Sequence, residues 1–124
     1  MRYRLGKEEK LKSKKLIEQL FAAGKRVNVH PFQMVFQQVD HQADFPIKIG
    51  FSVPKRTTKL AVNRNRIKRL MREVYRKNKY FLFKNIQNQY IMMLIYTSKD
   101  EINYNDMELY MKDLGVKFLS KIKK

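Results

Sequence analysis

Tyr90-Ile91-Met92-Met93-Leu94-Ile95-Tyr96 is an unbroken run of seven apolar residues. It is too short for a buried helix. An extended segment with no polar alternation must be covered on both faces, so the run reads as the central and most buried strand of a sheet. Downstream, Asn105 followed by Glu108 has the form of a capping box, and Met107, Tyr110, Met111, Leu114 and Phe118 give a closing helix its buried stripe. Upstream, a helix from about Leu60 to about Lys79 carries the stripe Ile67, Leu70, Met71, Val74 and Tyr75.

Two strands of period two precede that helix. Ile47, Ile49, Phe51 and Val53 alternate with Lys48, Gly50 and Ser52, and Phe32, Met34 and Phe36 alternate with Gln33, Val35 and Gln37. Each strand has one greasy face and one smaller or more polar face. Pro54 ends the later one, and Asp40 to Pro46 reads as a polar turn. Arg26 to Val29 is a short extended piece cut off by Pro31. Ser13 opens a first helix with Leu16, Ile17, Leu20 and Phe21 on one stripe, and Gly24 supplies its stop. The order is αβββαβα, an α/β (α+β) two-layer sandwich on one sheet of about four strands, in a single domain over residues 1–124. The seven methionines fall mostly on the apolar stripes, where a flexible thioether fills gaps in a core.

Composition excludes several functions. There is no cysteine, hence no disulfide or thiolate metal site, and two histidines, His30 and His41, are too few for an ordinary zinc site. No apolar run approaches the roughly 20 residues of a membrane-spanning helix, and no apolar block follows the basic stretch from Met1 to Lys15, so the expectation is a cytoplasmic protein without a membrane partner. Lys and Arg number 28 against 11 acids, a formal +17. A compact chain of that charge repels itself unless a polyanion or salt screens it.

The charge is concentrated. Between Lys55 and Lys79 lie 11 Lys or Arg residues and one acid, Glu73. At about 100° per residue, Asn65, Lys68, Arg69, Arg72 and Arg76 share the helix side opposite Ile67, Leu70 and Val74, while Arg64 and Arg66 flank the apolar stripe. Lys68 with Arg72, and Arg72 with Arg76, are like-charge pairs four residues apart, each costing an isolated helix a few tenths of a kcal/mol. A solvated helix face ordinarily relieves such pairs with acids. Their absence points to phosphate, and so to nucleic acid. The grouping of Asp100, Glu101, Asp106 and Glu108 has a plainer explanation in the positive N-terminal end of the last helix. No catalytic acid–base pair, nucleophile elbow or phosphate loop is visible, so no catalytic and no metal-ligating residue is assigned.

Ser52-Val53-Pro54-Lys55-Arg56, then Ala61-Val62-Asn63-Arg64-Asn65-Arg66-Ile67-Lys68-Arg69 and Arg72-Glu73, resemble the signature of the bacterial ribonuclease P protein component. The order of elements resembles that family over nearly the whole chain. The resemblance implies a protein subunit of a ribonucleoprotein endoribonuclease. Such a subunit binds a catalytic RNA and the 5′ leader of precursor tRNA, and promotes hydrolytic removal of the leader while the RNA carries the catalytic magnesium. It implies no cofactor held by the protein alone, Mg2+ in the RNA-containing holoenzyme, and no obligate protein partner. It further implies a left-handed βαβ crossover, against the usual right-handed rule.

By the same resemblance, the RNA-contacting set is Lys55, Arg56, Arg64, Asn65, Arg66, Lys68, Arg69, Arg72 and Arg76, and a cleft between the first helix and the sheet holds the leader. The alternation pattern agrees on a cleft with Gln33, Val35 and Gln37 beside Lys48, Gly50 and Ser52 as floor, and Phe21 with Ile17 as wall. Ile17 and Val35 stand where the family often has aromatics, which leaves stacking of a base to Phe21. The same apolar stripe also allows Phe21 to be core. A ribosomal or RNA-chaperone protein would share the charge and size but not the motif spacing.

Overall fold

The computed structural model describes residues 9–41, 45–83 and 86–122. Its elements are α1 (Lys14–Ala23), β1 (Lys25–Val29), β2 (Phe32–Gln38), β3 (Ile47–Ser52), α2 (Ala61–Leu82), β4 (Tyr90–Tyr96) and α3 (Tyr104–Ile122). The sheet runs β1-β2-β4-β3, with β1, β2 and β4 antiparallel in turn and β3 parallel to β4. The turn expected over 40–46 and the terminal Lys123 and Lys124 lie wholly or partly outside the described residues.

β4 is buried along its whole length. Tyr90, Met92, Leu94 and Tyr96 join Phe32, Met34, Phe36, Ile47 and Ile49 in a core under α2 and α3. Ile91, Met93 and Ile95 join Val35, Leu11 and Leu20 in a second, smaller core under α1. The alternation read from β2 and β3 therefore sorts their residues correctly between the two faces. The parallel β3–β4 pair is joined through α2, which gives the βαβ unit.

Local signals differ in detail. The Ser13 hydroxyl accepts from Leu16 N at 3.3 Å as an N-cap. Gly24 stops α1, but with extended angles (φ −73°, ψ 156°) rather than the left-handed turn usual for a glycine stop. Its requirement is close packing: a Cβ there would lie 2.5 Å from the Leu20 carbonyl and 2.8 Å from Val35 Cγ1. The cap of α3 is Asn103, whose Oδ1 accepts from Asp106 N at 2.9 Å. Asn105 is not the cap, and Glu108 reaches α2 instead, accepting from Asn78 at 2.9 Å.

Both sheet edges are covered. Lys117 and Lys121 of α3 donate to the Asn28 and Arg26 carbonyls of β1 at 3.0 and 2.8 Å, which anchors the end of α3. On the other edge Lys10 bridges Ile49, and Leu11 N donates to the Ile49 carbonyl at 3.0 Å. Such cover removes a template for strand addition. The incoming segment is fixed by Lys79, only 1% exposed, which donates to Glu9 at 2.6 Å and lies against the Phe45 and Tyr80 rings. A buried ammonium persists only when paired, which removes Lys79 from the exposed cations of α2. Among the described residues, no helix is long and apolar enough to cross a membrane.

Tyr75 packs edge-on against Phe51, yet its buried hydroxyl has no hydrogen-bond partner among the described residues. Burial first, and the Glu9 carboxylate second, push its phenol well above the usual tyrosine range. The folded chain thus holds this proton more tightly than the unfolded chain. Its contribution is intact below pH about 10 and is lost as pH rises beyond that value. Tyr75→Phe removes an unsatisfied group, so it is expected to hold stability constant or raise it by about 1 kcal/mol. It should also flatten the alkaline fall in urea titrations. A variant less stable than the parent at neutral pH would mean that the hydroxyl is paired.

Candidate nucleic-acid interface

The interface begins with the turn that feeds α2. The Pro54 carbonyl accepts from Thr57 N, Thr58 N and Thr57 Oγ1 at 3.0 to 3.2 Å, closing the turn on itself. Leu60, at the N-cap of α2, offers no side-chain cap. Arg64 braces this junction, donating from Nη1 to the Thr58 and Lys59 carbonyls at 3.0 and 2.7 Å. Lys55 and Arg56 project from the turn, exposed. Arg64 is half-buried and already engaged, so its first role is to hold the turn.

Along α2, Ile67, Met71, Val74 and Tyr75 are buried, as their spacing predicts. Asn65, Arg69 and Arg72 are exposed and Lys68 is half-buried. Arg72 reaches toward the sheet, its guanidinium carbon 6.0 Å from the Phe51 ring centroid. Besides Glu9, which holds Lys79, two acids take up other cations. Arg66 donates to Asn63 at 2.7 Å and pairs with Glu101 at 2.9 Å, both partners of that ion pair more than half exposed. Arg76 pairs with Glu73, which also lies 3.9 Å from Lys77. Among the described residues, the arc without an acidic partner is therefore Asn65, Lys68, Arg69 and Arg72, with Lys55 and Arg56 at its head. Glu101 pairs with Arg66 and Glu108 accepts from Asn78, and among the described residues no three metal-ligating side chains gather.

The cleft lies on the opposite face of the sheet. Phe21 is 41% exposed, so it is not a core residue. Ile17 is half-buried against the smaller core. The expected floor is corrected by strand order, since β4 separates β2 from β3. The rows across the sheet are Gln33–Ile95–Ser52, Val35–Met93–Gly50 and Gln37–Ile91–Lys48. Gln33 and Ser52 thus sit two strand spacings apart, about 10 Å, and an apolar strip lies between two polar rails. Val35, fully buried beneath α1, is core and not floor. Gly50 leaves room for the Met93 side chain, whose Cε a Cβ there would meet at 2.9 Å. Arg26 and Gln19 were missed by the sequence reading. Arg26 donates to Gln33 Oε1 at 3.0 Å, and Gln19 donates to Gln37 Oε1 at 3.1 Å. The signal for Arg26 was present, since it alternates with the buried Val27 of β1.

The fold and its charge define a small α/β protein that presents one cationic helix arc and, behind the sheet, an amphipathic cleft. A family model described as Ribonuclease P matches residues 5–120. Ribonuclease P protein components from Porphyromonas gingivalis and Borrelia hermsii are 37% and 30% identical, the alignments covering 73% and 86% of this chain. They span 66% and 88% of those relatives' lengths, and 56% for a relative from Chlorobium phaeobacteroides. The Staphylococcus aureus RNase P protein structure superposes with a TM-score of 0.69 at 20% identity, covering 93% of this chain and 95% of that one. The Thermotoga maritima protein gives 0.58 at 22% identity, covering 93% and 96%. The chain belongs to the ribonuclease P protein family.

Arg64 and Arg69 separate bracing from solvent-facing charge. Arg64→Ala removes two hydrogen bonds at the turn, one part-buried and one exposed, and is expected to cost about 0.5 to 1.5 kcal/mol in a thermal or urea melt. Arg69→Ala, exposed, should change stability by less than about 0.5 kcal/mol. Equal melting for the two variants would contradict the bracing role.

Proposed function

We propose that this chain is the protein subunit of a ribonuclease P holoenzyme, binding the catalytic RNA through α2 and the 5′ leader of precursor tRNA in the cleft under α1. The observation that carries the reading is the arc of Asn65, Lys68, Arg69 and Arg72, whose cations have no acidic partner among the described residues, on a helix where Arg64 is held by carbonyls and Arg66, Arg76, Lys77 and Lys79 by acids. Phosphates relieve the repulsion of such an arc and release condensed counterions on binding. The cleft suits a single strand. Phe21 offers a ring face for a base, and the half-buried Gln33 and Ser52 rails offer hydrogen bonds to base edges or sugars. Arg26 and Lys48 place cations at its margins.

Hydrolysis belongs to the RNA, whose magnesium ions supply the activated water, and the polypeptide contributes binding and orientation. The product is a mature tRNA with a 5′-phosphate. On this reading the protein works in the cytoplasm with two RNA partners and holds no cofactor of its own.

The two surfaces have different physics, and that makes the reading testable. Phosphate contacts are not restricted to one strand, whereas the cleft acts only when a leader is present. In a reconstituted complex, Phe21→Ala is expected to weaken precursor tRNA binding by about 1 kcal/mol, the lower end for one lost stack. Binding of mature tRNA should hold. Arg72→Ala should weaken association with the catalytic RNA whether or not a leader is attached. Equal losses on precursor and mature tRNA for Phe21→Ala, with melting unchanged, would remove the leader from the cleft.

A further inference from the structure

Leu109 and Val116 of α3 are each 62% exposed, and Phe81 near the end of α2 is 58% exposed. The arc of α3 that points directly away from the buried Met107, Met111, Leu114 and Phe118 carries Asn105, Leu109, Lys112, Asp113, Val116 and Ser120. Its flanks are already engaged. Glu108 accepts from Asn78 on the α2 side, and Lys117 donates to the Asn28 carbonyl on the β1 side. What remains between them is a stripe with no partner among the described residues except at Lys112, whose ammonium lies 5.3 Å from the Phe81 ring centroid.

This stripe is complementary to itself when reversed. Turned end for end about an axis between Lys112 and Asp113, it sets Asn105 against Ser120, Leu109 against Val116, and Lys112 against Asp113. These pairings match amide with hydroxyl, apolar with apolar, and cation with anion. That is the requirement of a two-fold contact, in which each residue meets the partner position that meets it in return. The location fits as well. Five of the chain's 11 acids, Asp100, Glu101, Asp106, Glu108 and Asp113, lie in α3 or the loop before it. Here two chains of formal charge +17 can approach with least repulsion.

We propose that the outer face of α3 is a self-association surface, on which a second copy of this chain docks with its α3 antiparallel to the first. Leu109 and Val116 of the two copies form the apolar centre, the Lys112 and Asp113 pairs fix the register, and Phe81 closes one flank. So few apolar side chains make a weak, reversible dimer rather than an obligate one. The inference does not depend on the identity of the RNA, because the face lies apart from both the α2 arc and the cleft.

Its salt dependence has the opposite sign to that of RNA binding. Net repulsion between two cationic chains is long-ranged and is screened as salt rises, whereas phosphate binding weakens. The test is sedimentation velocity on the RNA-free, full-length chain at sub-millimolar concentration, in about 0.1 M and about 0.5 M salt. A concentration-dependent dimer is expected, more populated at the higher salt. Leu109→Asp should abolish it. Lys112→Asp, which sets acid against acid, should weaken it by at least about tenfold, and combining Lys112→Asp with Asp113→Lys should restore it to within about threefold. All these positions are exposed or half-buried, and circular dichroism checks the fold. If Leu109→Asp unfolded the chain, the Lys112 and Asp113 pair of variants would decide alone. A parent chain that stays monomeric in both salts, or a double variant as weak as Lys112→Asp, would overturn the proposal.

Discussion

β4 offers an apolar side chain to each side of the sheet, and everything else in the molecule is arranged to cover it. Leaving either face in water would expose about 1.5 to 3 kcal/mol of burial energy for each large side chain. Two layers of helix meet that demand, with α2 and α3 on one side and α1 on the other. The connection from β3 to its parallel neighbour β4 has to be a helix, because parallel strands cannot be joined by a tight turn. That helix is α2. Once its apolar stripe is committed to the sheet, the opposite arc is left to solvent, and there the chain places Lys68, Arg69 and Arg72.

Electrostatics then trims the arc. Seen as sequence, the charged residues of the segment 55–79 are nearly all cations, but acids meet them at three places in the fold. Glu9 takes Lys79 into the interior, Glu73 holds Arg76, and Glu101 crosses from the loop before α3 to Arg66. The first is a structural clamp that no exposed ligand can displace without unfolding the N-terminal segment. The last joins two well-exposed groups, and such pairs are worth little in water. A phosphate can therefore compete with Glu101 for Arg66, which makes that arginine available to RNA at small cost.

Much of this was legible in the residues. Period-two alternation assigned Phe32, Met34 and Phe36 to one face and Gln33, Val35 and Gln37 to the other, and the helical stripe of Ile67, Met71 and Val74 gave the orientation of α2. Strand order was not legible, because alternation says which face a side chain takes but not which strand lies beside it. Hence Val35 was read as floor, when α1 buries it, and the polar rails were read as adjacent, when β4 divides them. The bracing role of Arg64 was not legible, because its turn of threonines carries no pattern that announces a need for a guanidinium. The Glu9–Lys79 clamp joins residues 70 apart, and no periodicity reports a contact at that separation. The motif Arg64-Asn65-Arg66 with Lys68-Arg69 pointed to the family independently of all these errors.

The central claim is that this polypeptide supplies binding and orientation to an RNA that performs the hydrolysis. The most direct measurement is release of the 5′ leader from precursor tRNA at low magnesium, comparing the ribonuclease P RNA alone, the protein alone, and the two together. The account predicts leader release by the mixture under conditions where the RNA alone is slow and the protein alone is inactive, with a 5′-phosphate on the tRNA product. Cleavage by the protein in the absence of the RNA, or a mixture no faster than the RNA alone, would contradict it.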